Sequence, residues 1–412
     1  MTAIPRTRHK LMIIAGEPSG DAHAAALVHA LREAAPESQM DLFGATGPLM
    51  RAAGVDSVIQ SDDLAILGLL EIGRALPKFW RAFNKLKQAA IERKPEAVIL
   101  VDWPDFNLRL ARSLHRRGLR VIYYISPQLW AWRSYRLKTI KRDVDLLLTI
   151  LPFEREWYAK RGVTQVEFVG HPLAGEVEAR FSRQDFCRFH DLDPTRPIIS
   201  LGPGSRLKEL HRILPEMLDA AALISISRPD VQFVVVVAPS RSPREAREII
   251  AARSAAATLP GVLRIAHHQT REALAASDVA AVASGTVTLE AALLGTPMVI
   301  VYKVSPINWH ILGRLINTEH YGLVNLIAGK RIVTELMQNE LNGESLAAEL
   351  MLLQDDQRNQ TLRKRLRDVG HQLGERGASR RAAERILDFV TTRAGVNAPE
   401  APVSGRAINS AQ

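Results

Sequence analysis

The chain has 412 residues, a formal net charge of +10 at pH 7, and a hydrophobic fraction of 47%. Two globular domains are the default at this length, and a chain this apolar is not disordered throughout. Its one cysteine, Cys187, excludes an internal disulfide framework and suits a reducing cytoplasm. No apolar run approaches the roughly 20 residues that cross a bilayer, so the composition predicts a soluble or peripheral protein.

The basic charge favours anionic partners, namely nucleic acid, acidic lipid or phosphorylated ligands. The lysines and arginines are spread along the chain, without a helix-turn-helix, zinc-finger or RNA-binding signature. We therefore predict no nucleic-acid partner. A solvated basic surface with no special partner stays open at this point.

Short apolar runs alternate with longer helical stretches, which is typical of an α/β protein with parallel sheets. The first series of predicted strands is 11–15, 41–45, 97–101, 121–125, 146–150 and 166–169. The second series is 198–201, 231–238, 262–265, 279–283 and 298–302. Each series has the five or six strands of a doubly wound sheet flanked by helices.

The strand–helix alternation is interrupted at 170–173, which marks a hinge between the two series. The predicted domains are therefore residues 1–172 and 173–372. A charged helix over 373–393 follows, and whether it packs back on the first domain or on a partner subunit is left open. The segment 394–412 has few apolar anchors and is predicted to be a disordered tail.

Two segments, 11–21 and 279–290, run an apolar strand into a turn of small residues and then a helix. Unpaired N–H groups and the positive dipole end at a helix start bind phosphate. In the later segment Gly285 lets a ligand approach the backbone, and Thr286 and Glu290 fall on one helix face. We expect this helix start to bind a diphosphate and the carboxylate to bind ribose hydroxyls. Two such crevices predict a donor site and an acceptor site.

Two aspartates follow the predicted strand 97–101. Ligands of open α/β sheets bind at the carboxyl edge, and Pro104 cannot continue a central strand, so Asp102 is the expected general base. Asp105 precedes a helical stretch and is more simply interpreted as a helix N-cap. Beyond strand 198–201, a glycine turn leads to Arg206, a candidate to stabilise a departing diphosphate. An ordinary surface arginine is the alternative.

Trp130 and Trp132 stand beside a proline turn at a strand end, where aromatic rings pack on sugar or acyl chains or cover the sheet edge. Asp143 and Asp145 form an Asp-x-Asp pair, but a buried strand follows directly. The histidines have no paired ligand spacing. No metal site is predicted.

The stretch from 64 to 87 combines apolar and aromatic residues with basic ones, among them Trp80 and Lys87. This mixture is typical of a segment that lies in a membrane interface. A loop and helix packed on the core is the alternative.

Seven motifs in order resemble the lipid-A-disaccharide synthase family, which are inverting glycosyltransferases with two facing Rossmann-like domains (the GT-B arrangement). The motifs are AGEPSGD at 15–21, DWPDFN at 102–107, SPQLWAWR at 126–133, LPFE at 151–154, FVGHP at 168–172, PGSR at 203–206 and ASGT at 283–286. The resemblance covers residues 11 to 390.

The resemblance implies transfer of 2,3-diacylglucosamine from UDP-2,3-diacylglucosamine to the 6-hydroxyl of 2,3-diacylglucosamine 1-phosphate. The product is a β-1,6-linked disaccharide precursor of lipid A, UDP is released, and neither a cofactor nor a metal is implied. By motif, Asp102 is the base that deprotonates the acceptor hydroxyl. The implied acceptor-side or active-site residues are Ser19, Gly20, Asp105 and Trp132. The implied UDP-site residues are Arg206, Ser284, Gly285, Thr286, Glu290 and Asn325.

The same resemblance implies that residues 1–172 bind the acceptor lipid and that residues 173–372 bind the UDP-sugar. Because both substrates are diacylated, the protein is expected to be cytoplasmic and peripheral on the inner face of the inner membrane. A homodimer is left open.

Three places depart from the family pattern. His23-Ala24-Ala25-Ala26 stands where Leu-Gly-Ala usually follows the first motif, and Leu323-Val324 stands where the family has Leu-Pro. Trp103 replaces the usual alanine after Asp102. These departures concern acceptor geometry and acyl-chain preference.

Two other functions remain alternatives. A UDP-sugar epimerase of the same architecture would need acid and base residues around the donor sugar. A non-catalytic protein that binds nucleotide or lipid at the membrane would not depend on Asp102.

Overall fold

The computed structural model describes residues 8–63, 72–255, 259, 262–305 and 318–392. Its strands form two sheets. The first contains β1 (Arg8–Ala15), β2 (Gln39–Thr46), β3 (Asp56–Gln60), β4 (Ala97–Val101), β5 (Val121–Tyr124), β6 (Leu146–Thr149) and β7 (Val166–Phe168). The second contains β8 (Ile198–Gly202), β9 (Gln232–Val237), β10 (Leu263–His267), β11 (Val279–Ala283), β12 (Met298–Tyr302) and β13 (Glu335–Met337).

Helices connect these strands. In the first half they are α1 (Pro18–Ala34), α2 (Pro48–Ala52), α3 (Ile72–Arg93), α4 (Pro104–His115), α5 (Leu137–Asp143), α6 (Pro152–Ala159) and α7 (Arg183–Phe189). In the second half they are α8 (Leu207–Ser227), α9 (Pro243–Ala252), α10 (Thr270–Ala276), α11 (Val287–Leu293), α12 (Leu323–Ala328), α13 (Gly343–Leu352), α14 (Asp356–Gln372) and α15 (Ala378–Thr392).

The strand order of the first sheet is β3-β2-β1-β4-β5-β6-β7, and that of the second is β10-β9-β8-β11-β12-β13. In the first sheet, every neighbouring pair in the run β3-β2-β1-β4-β5-β6 is parallel. All neighbouring pairs of the second sheet are parallel as well. In each sheet the order reverses once, between β1 and β4 and between β8 and β11. Such a reversal point opens a crevice at the carboxyl ends of the two strands. The predicted α/β fold with two mostly parallel sheets is confirmed.

The central strands are buried along their whole length, as in β4, β8 and β11. A parallel sheet covered by helices on both faces produces continuous apolar runs, which is why these strands could be predicted. Two strands were not predicted. β3 is half-exposed along most of its length, and β13 has only three residues and includes the charged Glu335. Neither carries an apolar run long enough to indicate a strand.

The chain divides into two compact units. The first contains the described residues up to Ile125, Arg142–Leu148 and the described residues from Ser379 on; the second contains Ser126–Lys141 and Thr149–Ala378. The domain boundary between residues 172 and 173 stays a prediction, and the tail 394–412 lies outside the described residues. Among the helices that the structure describes, none combines the length and the apolar character needed to cross a membrane.

The last helix, α15, belongs to the first unit from Ser379 on. The Arg120 guanidinium donates to the carbonyl oxygens of Phe389 and Val390 and lies 4.1 Å from the centroid of the Phe389 ring. A cation near the C-terminal carbonyls of a helix is favourable because it complements the dipole. Helix α15 is therefore part of the first unit from Ser379 on. The sequence alone did not decide where this helix packs.

Asp21, in the AGEPSGD motif, joins α1 to α2. Its side chain is only 3% exposed and accepts the backbone N–H groups of Gly47, Leu49 and Met50 at 3.1, 2.8 and 3.0 Å. These groups are at the start of α2, where a helix cannot satisfy its own N–H donors. Asp21 therefore acts as a remote cap for a helix that begins 27 residues later along the chain.

We expect Asp21→Ala to destabilise the first unit by roughly 3 kcal/mol, because it leaves buried N–H donors without a charged acceptor. Hydrogen–deuterium exchange of the backbone amides in peptides spanning residues 46–53 should become faster by the factor that corresponds to this loss of stability. Glu33→Ala, an exposed carboxylate on the same helix, is the control and should change the exchange very little. Equal exchange in the two variants would contradict the capping role.

Candidate active site

The first reversal point brings together the turn after β1 and the turn after β4. Ala15 pairs with Val101, so the residues that follow each strand leave the sheet side by side. A Cβ atom built on Gly20 would lie 3.7 Å from the Val101 carbonyl oxygen and 4.0 Å from the Asp102 Cβ atom. Two of the predicted site residues, Gly20 and Asp102, are therefore neighbours. Ser19 lies beside them, exposed in the first turn of α1.

The turn at Asp102 is strained. Asp102 and Trp103 have φ angles of 48° and 51°, a left-handed conformation that costs non-glycine residues about 1–3 kcal/mol each. The Asp102 carbonyl oxygen accepts hydrogen bonds from the Tyr123 hydroxyl (2.6 Å) and the Asn107 side-chain amide (2.7 Å). Both donor side chains are fully buried. These two contacts stabilise a conformation that the turn would otherwise leave.

The Asp102 carboxyl group is an unusually strong base for an aspartate. Burial raises its pKa from 3.8 to about 6, and the Glu17 carboxylate adds to the increase, against the opposing effect of the Trp103 backbone N–H. At neutral pH the group is still ionised and accepts a proton more readily than an exposed carboxylate does. These are the properties of a general base.

The Trp103 ring fills part of this crevice. A Cβ atom on Gly16 would lie only 2.0 Å from Trp103 Cδ2, so the indole rests directly on the glycine backbone. The same ring stacks on Phe106, with ring centroids 4.1 Å apart and an angle of 10° between the planes. The ring centroid of Phe79 in α3 lies 6.2 Å from that of Trp103. The place where a doubly wound fold usually binds phosphate is therefore covered by an apolar ring.

The N-cap role predicted for Asp105 is wrong. Helix α4 begins at Pro104, whose fixed φ angle suits the first helical position, and its N-cap is Trp103. Asp105 is therefore inside the first turn, exposed, where a carboxylate complements the helix dipole.

The SPQLWAWR segment is held by a buried polar network in the second unit. The Ser126 hydroxyl donates to the Tyr158 hydroxyl at 2.7 Å, and the Trp130 ring N–H donates to Glu154 at 3.1 Å. Burial raises the pKa of Glu154 to about 7, although the Trp130 and backbone N–H donors oppose this. Trp130 is thus a structural side chain, whereas Trp132 is exposed, with the Arg133 guanidinium 4.2 Å above its ring.

The second reversal point, between β8 and β11, carries the turn at Ser284. Among the residues that the structure describes, none comes within 4 Å of a Cβ atom built on Gly285, so these residues leave the space beside its backbone open. The Ser284 hydroxyl donates to the Tyr321 carbonyl oxygen at 3.2 Å, and Thr286 is exposed. The open backbone is what a bulky anionic ligand needs in order to approach closely.

Arg206 lies at the start of α8, after β8. The Glu209 carboxylate accepts the N–H groups of Ser205 and Arg206 at 3.0 and 3.1 Å, and pairs with the Arg206 guanidinium at 3.0 Å. The N–H groups of the two residues that precede this helix are therefore already satisfied from within the chain. The Arg206 side chain itself is 80% exposed and carries its charge into solvent.

Glu290 lies one turn inside α11, and its backbone N–H bonds the Thr286 carbonyl oxygen, so the two residues share a helix face as predicted. Its carboxylate pairs with Arg271 at 3.0 Å, and Arg271 also donates to the Glu176 carbonyl oxygen. The sequence did not indicate Arg271, because it lies 19 residues away on α10. This arginine fixes the orientation of the carboxylate.

Asn325 is fully buried, and its side chain is fully hydrogen-bonded. It donates to the Val333 carbonyl oxygen and to Glu335, and it accepts the N–H groups of Ile332 and Val333, all within 3.0 Å. An amide side chain has no further donor to offer a ligand. Asn325 therefore supports the site from behind.

Among the residues that the structure describes, no group of three or more histidine, cysteine, aspartate or glutamate side chains is arranged to hold a metal ion.

Two solved structures are similar in fold to most of the chain. Staphylococcus aureus MnaA, solved with UDP, matches with a TM-score of 0.60 at 13% identity, over 93% of this chain and 97% of MnaA. The calicheamicin glycosyltransferase CalG4 matches with a TM-score of 0.56 at 15% identity, over 96% of this chain and all of CalG4. At these identities the likeness concerns the fold alone.

Curated relatives are much closer in sequence. The lipid-A-disaccharide synthase of Trichlorobacter lovleyi is 42% identical over 92% of this chain and 97% of the relative. That of Geobacter sulfurreducens is 39% identical over 93% of this chain and 98% of the relative. The family model described as lipid-A-disaccharide synthetase matches residues 11–387, which include both reversal points and the motifs around them. The chain belongs to the lipid-A-disaccharide synthase family.

Proposed function

We propose that this chain is a glycosyltransferase that forms the lipid A disaccharide. It transfers 2,3-diacylglucosamine from UDP-2,3-diacylglucosamine to the 6-hydroxyl of 2,3-diacylglucosamine 1-phosphate, makes a β-1,6 linkage and releases UDP. Family membership over residues 11–387 supports the reaction. The observation that carries the mechanism is Asp102, a carboxylate at a sheet reversal point whose pKa is raised to about 6.

Two differences between the reversal points support assigning the donor to the second unit and the acceptor to the first. The backbone beside Gly285 is open, whereas that of Gly16 is covered by the Trp103 ring. A diphosphate needs accessible N–H groups and positive charge, and Arg206 lies exposed at the end of β8, next to β11. The apolar surface beside Asp102 instead suits an acylated sugar.

In this mechanism Asp102 removes the proton from the acceptor 6-hydroxyl. The resulting oxygen nucleophile forms a bond to the anomeric carbon of the donor, on the face opposite to UDP, and the bond from that carbon to the diphosphate breaks. The bonding electron pair leaves with UDP, whose new negative charge Arg206 stabilises. The Glu290 carboxylate, oriented by Arg271, would hold the ribose hydroxyls of the nucleotide.

No observation favours the two alternatives. An epimerase would act on the donor alone and needs acid and base residues around the donor sugar. A non-catalytic binding protein gives no reason for a strained, partly buried aspartate with a raised pKa.

Helix α3 supports a peripheral position on the inner membrane surface. Its described part exposes Trp80, with 69% of the residue accessible, next to the exposed cations Lys78 and Arg81. Ala82 and Leu86 on the same helix are buried. A tryptophan between cations is suited to an anionic lipid interface. Residues 64–71 of the predicted interfacial stretch lie outside the described residues.

We expect Asp102→Asn to reduce turnover by about 10³-fold while UDP binding stays within twofold of the wild type, because the amide cannot accept the proton. The assay measures radiolabelled disaccharide from both lipid substrates in detergent, with a chelator present because the family resemblance implies a metal-independent reaction. Asp185→Asn, an exposed aspartate in the first turn of α7, is the control. Full turnover in Asp102→Asn, or donor consumption without disaccharide in the wild type, would contradict the proposal.

The pH profile should follow the Asp102 carboxyl group. A base must be ionised, so kcat/KM should be half-maximal near pH 6, constant well above that pH, and should decrease about tenfold per pH unit well below it. Glu17→Gln removes a carboxylate that raises the Asp102 pKa, so the acid limb should move to lower pH. Glu33→Gln, at the far end of α1, should leave the limb where it is. An acid limb that does not respond to Glu17→Gln would count against Asp102 as the titrating group.

We expect Trp80→Ser to weaken binding to vesicles of phosphatidylethanolamine with 30% phosphatidylglycerol by about tenfold, because a large apolar side chain no longer enters the interface. Vesicle co-sedimentation provides the measurement. Phe189→Ser on α7 is the matched control, since Phe189 is equally exposed at 70% but lies on a helix of the second unit. The same loss in both variants, or in neither, would reject α3 as the membrane contact.

A further inference from the structure

A buried carboxylate in the second unit has no role in the reaction described above. Glu335 is the first residue of the short strand β13, and only 6% of it is exposed. One oxygen accepts the Gly322 N–H at 2.9 Å and the Asn325 amide at 2.7 Å, and the other accepts the Tyr321 N–H at 3.0 Å. A carboxylate is rarely buried unless several donors compensate for the loss of water, and here three N–H groups do so.

These donors belong to one short segment, the entry to α12. Gly322 is its N-cap, and a Cβ atom there would lie 2.4 Å from the Ile300 side chain and 3.1 Å from the Glu335 carboxylate. The backbone of 321–322 therefore lies directly against β12 and β13. Asn325, one turn later, adds the bonds to the 332–333 backbone. The position of this segment is consequently determined by Glu335.

The segment in turn determines the position of the proposed nucleotide site. The Tyr321 carbonyl oxygen accepts the Ser284 hydroxyl at 3.2 Å, and the Ser284 N–H bonds the Val301 carbonyl oxygen at 2.9 Å. Ser284 immediately precedes the open backbone of Gly285. A chain of contacts therefore runs from the Glu335 carboxylate through the 321–322 backbone to the turn after β11.

We infer that Glu335 is a positioning residue for the donor: through the Tyr321 backbone it holds Ser284, and with it the Gly285 turn, in the conformation that binds the nucleotide diphosphate. The inference rests on the proposed function. In this inference the buried Glu335 does not contact the ligand itself. It acts by orienting a backbone that does.

The test compares Glu335→Gln with the wild type. Glutamine has the same shape, but its NH2 group replaces one acceptor and faces an N–H donor, so the 321–322 backbone should shift. We expect the Kd for UDP and the KM for the UDP-sugar to increase about tenfold, with the KM for the acceptor unchanged. A purely structural role would lower the amount of active enzyme and so reduce the apparent kcat, while leaving both KM values as they are.

Glu340→Gln is the matched control, since Glu340 is an exposed carboxylate just beyond β13 that accepts the nearby Met337 N–H. If Glu335→Gln does not fold, Glu335→Asp keeps the charge, shortens the reach and should also raise the donor KM. The double variant Glu335→Gln with Ser284→Ala should bind UDP no more weakly than the weaker single variant, because both changes interrupt one chain of contacts.

Unchanged UDP affinity in Glu335→Gln, or effects of the two substitutions that add in full, would overturn the inference. If the wild type itself does not bind UDP, the proposed function fails instead, so the two failures are distinguishable.

Discussion

The reversal of strand order within each parallel sheet is the constraint on which the candidate site depends. At that point the chain leaves two neighbouring strands toward opposite sides, so the turns that follow them separate and open a crevice. Asp102 and Gly20 meet at the first reversal, and Arg206 and the Gly285 turn follow the strands of the second. The four strands at these two points are β1, β4, β8 and β11. The proposed reaction assigns chemical steps only to residues that follow these strands directly or lie one helical turn further on.

Carboxylates that accept backbone N–H groups, two of them buried, hold the turns around both crevices. Asp21 caps α2, Glu209 satisfies the start of α8, and Glu335 holds the entry to α12. In each case a carboxylate from within the chain accepts N–H groups at or near the start of a helix. The turn at Gly285 is different, because its backbone faces open space. A phosphate-binding role is therefore best supported where the protein has not supplied its own anion.

The sequence was sufficient to predict both parallel sheets, because buried strands are continuous apolar runs. It also indicated Asp102 as the candidate base, because a proline two residues later ends the strand, and that role is a proposal. It was not sufficient for the supports of the site. Tyr123, Arg271 and Glu335 each act on a residue 10 or more positions away, through contacts that exist only once the strands are in order. The N-cap of α4 was also predicted incorrectly. Asp105 was expected to be the N-cap, but the helix already begins at Pro104 and its N-cap is Trp103.

The contact between Trp103 and Gly16 has a consequence for how this lineage can change. With the indole resting on the glycine backbone, any side chain at position 16 would require the ring to shift, which would disturb its stack on Phe106. Substitutions at the two positions are therefore coupled. A smaller residue is needed at position 103 before a larger one is tolerated at position 16. Among descendants of this protein, alanine or serine at position 16 should be found only together with a small residue at 103.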